Sequence, residues 1–424
     1  MTLYASKAAS GSLLTALTGI SNAFVVAPAS FAFSALTAAP IKAGNSFNAT
    51  VTALTSSGAT APNFGRESSP ETVTLIANKY QPTGAGAVNG SFSGALGSFT
   101  AGVASGTNLT YSEVGTIDLT ATLTSASYLG SGLSATGTTG VTGAVGRFIP
   151  DHFDEVVTQG CSTGSYTYSA QPLTVQITAR NLSGAKTVNY DGTASTTPNF
   201  SKAVTLSELN AIAGSLSPTS VAASAFTAGV ASASPGFTFT TAPTTASTIK
   251  LRAVDTDSVS TATGATESAA TALIRSGRLH LLNAYGSELL AIKVPVQAEY
   301  YNGTNWIINT SDTCTTIAAG GMTASNGIAT NTCFLTNPRP SAPTNASCQA
   351  NSPAITTAAG VGSWYVFDKT TPQVGYTDLT INLSATPWLL GRWSGSGTSY
   401  TENPIARIKF GSPKAPYIYL RERY

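Results

Sequence analysis

The sequence predicts an all-β protein made of tandem immunoglobulin-like β-sandwich modules, followed by a distinct C-terminal β domain. Three observations predict this class. Charged residues are only 9% of the 424 residues, against about a quarter in ordinary proteins, and small polar residues replace them. Apolar residues, 42% of the chain, alternate with polar ones between Gly-, Asn- and Pro-rich turns. A block of about 125 residues, close to the commonest domain size, occurs twice.

The internal repeat sets the predicted domain boundaries. Residues 99–105, Phe-Thr-Ala-Gly-Val-Ala-Ser, return letter for letter at 226–232, and further matched positions follow in the same order. We therefore expect a first module at 23–146 and a second at 147–276. Residues 277–424 do not repeat the pattern and form the C-terminal domain, which has a cysteine-containing loop. Residues 1–22 are interpreted as the tail of a truncated upstream module.

The alternation of apolar residues predicts strands nearly throughout. Residues 290–300 alternate cleanly, and Asn302-Gly303 follows, which predicts a long strand and a hairpin. Pro295 within that strand lacks an N–H and suggests an edge strand or a bulge. Residues 314–359 read as a long loop. The chain closes with a predicted hairpin of 405–410 and 417–420. Residues 206–213 are the one stretch of the second module that favours a short helix.

Four cysteines are present, and three of them crowd into one loop-rich segment of the C-terminal domain. They are Cys161, Cys314, Cys333 and Cys348. None forms a Cys-x-x-Cys pair, so a zinc site is not expected. The crowding is typical of extracellular disulfides, and four cysteines allow three connectivities. Four reduced, buried cysteines are the alternative.

No motif of catalysis is present, so we expect neither catalytic residues nor a cofactor or metal. The nucleophile elbow Gly-x-Ser-x-Gly, His-Glu-x-x-His and the phosphate-binding loop are all missing. The two histidines, His152 and His280, and the turn acids Asp255 and Asp257 are interpreted as structural. A net charge of +2 gives no reason to expect nucleic acid, and no apolar run is long enough to span a membrane.

The aromatic residues of the C-terminal domain leave two interpretations open. Trp364, Trp388 and Trp393 could form a surface on which a sugar ring stacks. They could equally be the core of the last sandwich.

Several C-terminal blocks resemble a bacterial family. They are Gly-Arg-Leu-x-Leu-x-Asn-Ala-Tyr-Gly-Ser-Glu-Leu-Leu at 277–290, Val-Pro-Val-Gln-Ala-Glu-Tyr-Tyr-Asn-Gly at 294–303, Asp-Thr-Cys-Thr at 312–315 and the terminal segments 404–411 and 418–424. These blocks resemble the C-terminal region of MshQ-like proteins of the mannose-sensitive haemagglutinin (MSHA) type IV pilus biogenesis system. The resemblance spans roughly residues 147–424 and carries no assigned catalytic residue.

The resemblance implies a non-enzymatic protein that is exported through the periplasm to the outer surface. It would act as a stalk, assembly or adhesion component, with pilus or cell-envelope proteins as partners. A carbohydrate-binding module with its site in the C-terminal domain, and surface glycans as partners, is the alternative. A signal peptide is not expected within this chain, which is interpreted as a fragment of a longer protein.

Overall fold

The computed structural model describes residues 1–10, 15–261, 270–336, 341, 344–368, 373–395 and 399–411. This part of the chain is all-β, as predicted. Its helices are 3₁₀ turns of three residues each, at Tyr128–Gly130, Ala223–Ala225, Ala329–Asn331, Asn345–Ser347 and Pro387–Leu389. None of these could cross a membrane. At the N-terminus, two exposed antiparallel strands precede the first sandwich: β1 (Tyr4–Lys7) and β2 (Leu17–Ile20).

The first sandwich contains nine strands in two sheets. One sheet has the order β3-β5-β8-β7. In the other, β9 pairs with β6 along one edge and with β10 and β11 along the opposite edge, and β4 completes the sheet beside β11. The strands are β3 (Ser30–Ser34), β4 (Ile41–Lys42), β5 (Phe47–Leu54), β6 (Val73–Gln81), β7 (Phe92–Ser93), β8 (Val103–Tyr111), β9 (Gly115–Leu123), β10 (Thr136–Thr138) and β11 (Val145–Ile149).

The second sandwich has sheets of order β12-β14-β18 and β13-β21-β20-β15-β17, with a separate β16-β19 pair. Its strands are β12 (His152–Thr158), β13 (Thr167–Tyr168), β14 (Thr174–Arg180), β15 (Val204–Glu208), β16 (Gly214–Ser217), β17 (Ser220–Val221), β18 (Val230–Ala233), β19 (Gly236–Phe239), β20 (Ser247–Asp255) and β21 (Thr271–Arg275).

The C-terminal domain is also a sandwich, with sheets of order β22-β24-β30-β28 and β23-β32-β31-β27. The hairpin partner β25 pairs with β24, and β26 pairs with β29. The strands are β22 (Gly277–Leu281), β23 (Ala284–Gly286), β24 (Ile292–Tyr301), β25 (Trp306–Ile308), β26 (Thr316–Ile317), β27 (Met322–Ser325), β28 (Thr332–Phe334), β29 (Ile355–Thr356), β30 (Val361–Asp368), β31 (Gly375–Ile381) and β32 (Ile405–Phe410).

All three sandwiches share one immunoglobulin-like plan. The first long strand of each pairs antiparallel with the second (β3 with β5, β12 with β14, β22 with β24). A short strand then crosses to the other sheet and pairs in parallel with the last strand of the module (β4 with β11, β13 with β21, β23 with β32). Two antiparallel sheets joined by such a crossing strand enclose one core per module.

A single tight turn explains why the heptapeptide 99–105 returns at 226–232. Residues 100–103 close with two backbone hydrogen bonds, and Ala101 and Gly102 both have positive φ, at 53° and 83°. That is the geometry of a type I′ turn. A Cβ on Gly102 would overlap the carbonyl oxygen of Ala61. Ala228 and Gly229 repeat this geometry in the second module.

The same turn occurs a third time, at residues 358–361, and we call the three turns the corner turns. Ala359 and Gly360 have φ values of 51° and 77°, and a Cβ on Gly360 would overlap the carbonyl oxygen of Asn309. The C-terminal domain therefore repeats this corner although its sequence shows little of the repeat. Of the heptapeptide, Ala-Gly-Val and the final serine (Ser363) remain there.

Three expectations about local structure need correction. The helix expected at 206–213 is wrong, because β15 occupies 204–208 and pairs along its whole length with β20. Val204 and Leu206 alternate with Thr205 and Ser207 in burial, so sheet pairing overrides the local preference. The described part of the predicted loop 314–359 contains four short strands (β26, β27, β28 and β29), and two of them, β27 and β28, belong to the main sheets.

Pro295 is the third correction, since β24 lies in the centre of its sheet between β22 and β30. The carbonyl of Pro295 accepts the N–H of Leu282, just beyond the end of β22. In an antiparallel sheet the N–H and C=O of one strand residue point toward the same neighbouring strand. The N–H that Pro295 lacks would therefore point toward β22 at the place where its pairing with β24 ends, so the sheet loses little. The hairpin at Asn302-Gly303 is confirmed by the pairing of β24 with β25.

The predicted domain boundary at 146/147 falls inside β11, which pairs with β9 of the first sandwich. Of the predicted terminal hairpin, β32 is present, and residues 417–420 lie outside the described residues.

Candidate functional site at the boundary of the second and third modules

Two disulfides are formed, and one of them joins two modules. Cys161, which follows β12, bonds to Cys314, which follows β25, across 153 residues of sequence. Cys333 bonds to Cys348 within the third module. The covalent path from the second module to the third otherwise runs through Ser276 alone, between β21 and β22. The two modules are therefore tethered at two separate points.

Next to the intermodule disulfide lies a buried carboxylate, that of Asp312, with an exposed fraction of 0%. Its two oxygens accept hydrogen bonds from the hydroxyls of Thr315 (2.6 Å) and Thr357 (2.7 Å) and from the backbone N–H of Thr315 (2.9 Å). Tyr168 of the second module donates its hydroxyl to the same carboxylate at 2.7 Å. Hydrogen bonds from several donors compensate for the cost of burying a carboxylate, and here one of the donors, Tyr168, comes from the neighbouring module.

The corner turns show why Asp312 is unusual. The glycine of each corner turn donates its N–H to a carbonyl, that of Phe64, Tyr190 or Asp312 in the first, second and third modules, respectively. These three residues thus occupy equivalent positions. In the first two modules the position is aromatic and packs edge-to-face on a second ring, Phe99 or Phe226.

In the third module Asp312 and Thr357 replace this aromatic pair, and a hydrogen bond replaces the ring contact. The corner that closes the hydrophobic core of the other modules here accepts a side chain from the preceding module. Sequence analysis missed this role of Asp312. Asp312 lies farther before its turn glycine than Phe64 and Tyr190 lie before theirs, so the sequence spacing carried no usable signal for it.

Arg275 adds a second contact across the boundary. Its guanidinium lies over the ring of Tyr166 at 4.9 Å and over the ring of Tyr300, in the third module, at 4.5 Å. It also donates to Oδ1 of Asn309 at 2.6 Å. Asn309 in turn donates to the hydroxyl of Tyr168 at 2.9 Å. Cation–π stacking and hydrogen bonds thus connect the last strand of the second module to the third.

The electrostatics of this cluster favour the ionised form of Asp312. Burial by itself raises the pKa of a carboxyl group, but the hydrogen bonds from Thr315, Tyr168 and Thr357 outweigh it and hold the pKa of Asp312 below its ordinary value. Burial, with the charge of Asp312, raises the pKa of Tyr168 well above its ordinary value. At neutral pH the pair is a carboxylate and a neutral phenol, which is the arrangement the hydrogen bond requires.

The boundary of the first and second modules uses different chemistry. The buried carboxylate of Glu113 accepts the N–H groups of Val188 and Asn189, at 3.0 and 3.1 Å, and its own module contributes that of Val114 at 2.8 Å. Burial raises the pKa of Glu113, against the effect of these donors. Arg147 forms a bidentate ion pair with Asp257, at 2.5 and 2.9 Å. No disulfide crosses this boundary in the described residues.

The outer face of the third module carries a ladder of stacked rings and cations. Arg278 lies 4.5 Å from the ring of Trp306 and 4.9 Å from that of Trp393, and its Nε donates to Glu299 at 2.6 Å. His280 stacks on Trp393 with ring centroids 5.0 Å apart. We call Trp306, Arg278, Trp393 and His280 the aromatic ladder.

The three tryptophans that were candidates for ligand stacking occupy different environments. Trp364 is 1% exposed and donates its indole N–H to the carbonyl of Pro353, so it belongs to the core and is not available to a ligand. Trp393 is covered by Arg278 and His280. Trp388 is half-buried and lines a groove between the modules, together with Trp306 and Tyr400, which sequence analysis did not single out.

The remaining polar candidates have structural partners. His152 lies between the carboxylates of Asp151 (2.9 Å) and Asp154 (3.7 Å). Asp255 accepts the hydroxyl of Tyr190 at 2.7 Å and the N–H of Val259 at 2.9 Å. His280 contacts Glu299 at 3.0 Å.

Among the described residues, one group has the ligand types and spacing of a metal site, and it consists of Cys161, Cys314 and Asp312. The two cysteine sulfurs of this group are bonded to each other, and the Asp312 oxygens already accept hydrogen bonds. The atoms that would bind a metal are therefore already engaged.

Two family models match the chain, and both describe parts of one family. Residues 113–276 match "DUF6701, third domain" and residues 275–423 match "DUF6701, fourth domain". No curated protein matches the chain significantly.

The solved structures that are similar to this chain share little sequence identity with it. The Escherichia coli adhesin FdeC is 11% identical over 91% of this chain and 99% of its own, with a TM-score of 0.36. The Yersinia pseudotuberculosis adhesin InvE is 13% identical over 62% of this chain and 60% of its own, with a TM-score of 0.21. The I9–I11 tandem of titin is 9% identical over 89% and 98%, with a TM-score of 0.24. Because every one of these TM-scores is below 0.5, they carry no inference about ligands or partners.

Proposed function

Since this chain belongs to the DUF6701 family, of which it carries the third and fourth domains, we propose that it is a non-enzymatic segment of an exported surface protein. In this role it is a stalk, assembly or adhesion component of an MSHA-like type IV pilus system. The pilus association rests on the sequence blocks that resemble MshQ-like proteins. Pilus or cell-envelope proteins are the partners that this role requires.

The observation that carries the proposal is the intermodule disulfide beside the Tyr168–Asp312 hydrogen bond. A stalk must hold its modules in one relative orientation, and linked modules with small polar interfaces move by default. Here a covalent bond, a buried charged hydrogen bond and the stacked Arg275 all cross one boundary. Disulfides persist in oxidising compartments, which supports export through the periplasm.

Cells of a bacterium that encodes the protein test this function. Protease added to intact cells should cleave the protein, and deletion of its gene should reduce piliation or adherence. Complementation with the Cys161→Ser/Cys314→Ser double variant should restore less adherence than the parent at equal surface abundance. A protein found in the cytoplasm with free thiols, or full piliation and adherence without the gene, contradicts the proposal.

The second candidate function is carbohydrate binding, and the groove that contains Trp388 favours it. Exposed tryptophan faces beside hydroxyl groups are suited to sugar rings, because the ring C–H groups stack on the indole. A glycan array probed with the full chain tests it, and the absence of any bound glycan removes it.

A further inference from the structure

The groove between the second and third modules has a volume of about 160 Å³. Trp306, Trp388 and Tyr400 line it from the third module, and Phe239 and Pro243 line it from the second. The groove therefore exists only when the two modules are docked as the disulfide and Asp312 hold them.

Trp388 lines the groove and also packs against the core of the third module. It lies in the 3₁₀ turn Pro387–Leu389, where Leu389 is buried and anchors the turn. Trp306 also lines the groove, and its ring lies 5.6 Å from that of Tyr400. The guanidinium of Arg278, in the aromatic ladder, lies 4.5 Å from the Trp306 ring. A ligand in the groove would thus contact several aromatic side chains.

The groove is lined by uncharged side chains, which indicates an uncharged ligand. None of the described residues that line the groove carries an acidic or basic side chain. The guanidinium of Arg278, which lies over the ring of Trp306, is engaged by Glu299 at 2.6 Å and by two indole rings. An anionic or cationic ligand would lose its hydration without gaining an opposite charge.

The size and the hydroxyl groups narrow the ligand further. The volume of the groove is close to the roughly 150 Å³ of an apolar cavity that binds benzene, so one six-membered ring fits within it. Ser169 and Ser276 line it, and each hydroxyl oxygen already accepts a backbone N–H, from Phe239 (3.0 Å) and Thr244 (2.8 Å). Ser169 is half-buried, and its hydroxyl therefore has its O–H to donate to a ligand oxygen, whereas Ser276 is buried.

We propose that this groove binds one neutral pyranose ring of a glycan. The inference rests on the second candidate function and is independent of the stalk role. A proline-rich peptide is also uncharged and favours aromatic grooves, but its recognition needs a groove that extends over several residues. The single ring-sized volume favours the sugar.

Tryptophan fluorescence of the full chain, titrated with neutral methyl hexopyranosides (glucoside, galactoside and mannoside), tests the proposal. At least one sugar should give a saturable change, and Trp388→Ala should weaken its binding about fivefold or more. Trp388→Phe should restore part of the affinity. Tyr285→Ala, which removes an aromatic residue that is 65% exposed and outside the groove lining, should bind like the parent.

Three outcomes overturn the proposal. No change with any neutral sugar, or equal binding by Trp388→Ala, removes the site, and circular dichroism of the variant shows that it is folded. Binding of a proline-rich peptide that Trp388→Ala abolishes assigns the groove to peptides. Binding of sialylated glycans alone removes the neutral pyranose and leaves carbohydrate binding as a function of the protein.

Discussion

The hydroxyl of Tyr168 in the second module donates a 2.7 Å hydrogen bond to the buried carboxylate of Asp312 in the third. The equivalent position in the other two modules is an aromatic residue that closes the core of its own module. The same position of the sandwich therefore packs within its own module in the first two modules and contacts the neighbouring module in the third. The intermodule disulfide lies beside this hydrogen bond.

Removal of the intermodule disulfide should loosen the boundary and leave the separate cores folded. Cys161→Ser/Cys314→Ser should lower the free energy of unfolding by roughly 2–5 kcal/mol, because the bond closes a long loop. Denaturant unfolding measures the loss, and limited proteolysis near Ser276 should become faster. Cys333→Ser/Cys348→Ser is the control, since its bond closes a short loop within one module and should not change cleavage at Ser276. Equal protease resistance at Ser276 in both variants contradicts the role of the Cys161–Cys314 bond in holding the two modules together.

Loss of the Asp312 charge should be costly even though Asn has the same shape. Asp312→Asn replaces an acceptor with an amide that cannot receive all of the Thr and Tyr donors, so about 3 kcal/mol or more of stability should be lost. Denaturant unfolding measures it. Asp154→Asn, at an ion pair whose side chains are about 30% exposed, should cost less than about 1 kcal/mol. A similar loss in both variants indicates that Asp312 is not special.

Acidification should weaken the same boundary. The folded pKa of Asp312 lies below its unfolded value, so its contribution is present above the unfolded pKa and is lost as the pH falls through the folded pKa. The parent protein should lose stability below about pH 4, and Asp312→Asn should lose less over the same range. Parallel stability curves for the two proteins between neutral and acid pH argue against this source of acid sensitivity.

Glu155 should give the opposite pH dependence. It is 5% exposed, and burial raises its pKa to about 7; the nearby Thr261 hydroxyl opposes the shift without reaching hydrogen-bond geometry. The folded state therefore holds a proton that the unfolded state releases, and this contribution is lost as the pH rises from about 4.5 to about 7. Glu155→Gln should remove about 3 kcal/mol of this decline, measured by unfolding at both ends of that range. A variant whose stability declines as steeply as that of the parent is the contrary result.

The aromatic ladder should depend on the plane of the guanidinium and not only on its charge. Arg278→Lys keeps the charge but cannot stack on Trp306 and Trp393 together, so we expect a loss of roughly 1–2 kcal/mol and a changed tryptophan emission. Arg392→Lys, at an exposed site, should stay within about 0.5 kcal/mol of the parent. If Arg278→Lys matches that control, stacking contributes little.

Much of the architecture followed from local patterns. Alternation at 290–300 and Asn302-Gly303 predicted a strand and hairpin that are present, because one buried face and one turn are enough to specify them. The repeat of 99–105 pointed to two modules because the Ala-Gly pair is needed for its positive-φ turn. Local preference failed at 206–213, where pairing with β20 decides the strand.

The candidate site could not be read in the same way. Tyr168, Asn309, Asp312 and Thr357 are scattered along the chain, and no spacing rule joins residues on two modules. Strand periodicity depends only on neighbours in sequence, so the chain itself specified the sandwiches and their turns. The Cys161–Cys314 bond, the contact of Asp312 with Tyr168 and the groove at Trp388 depend on which surfaces meet, and only the docking of the second module onto the third decides that. The Cys333–Cys348 bond and the burial of Trp364 are decided by tertiary packing within the third module.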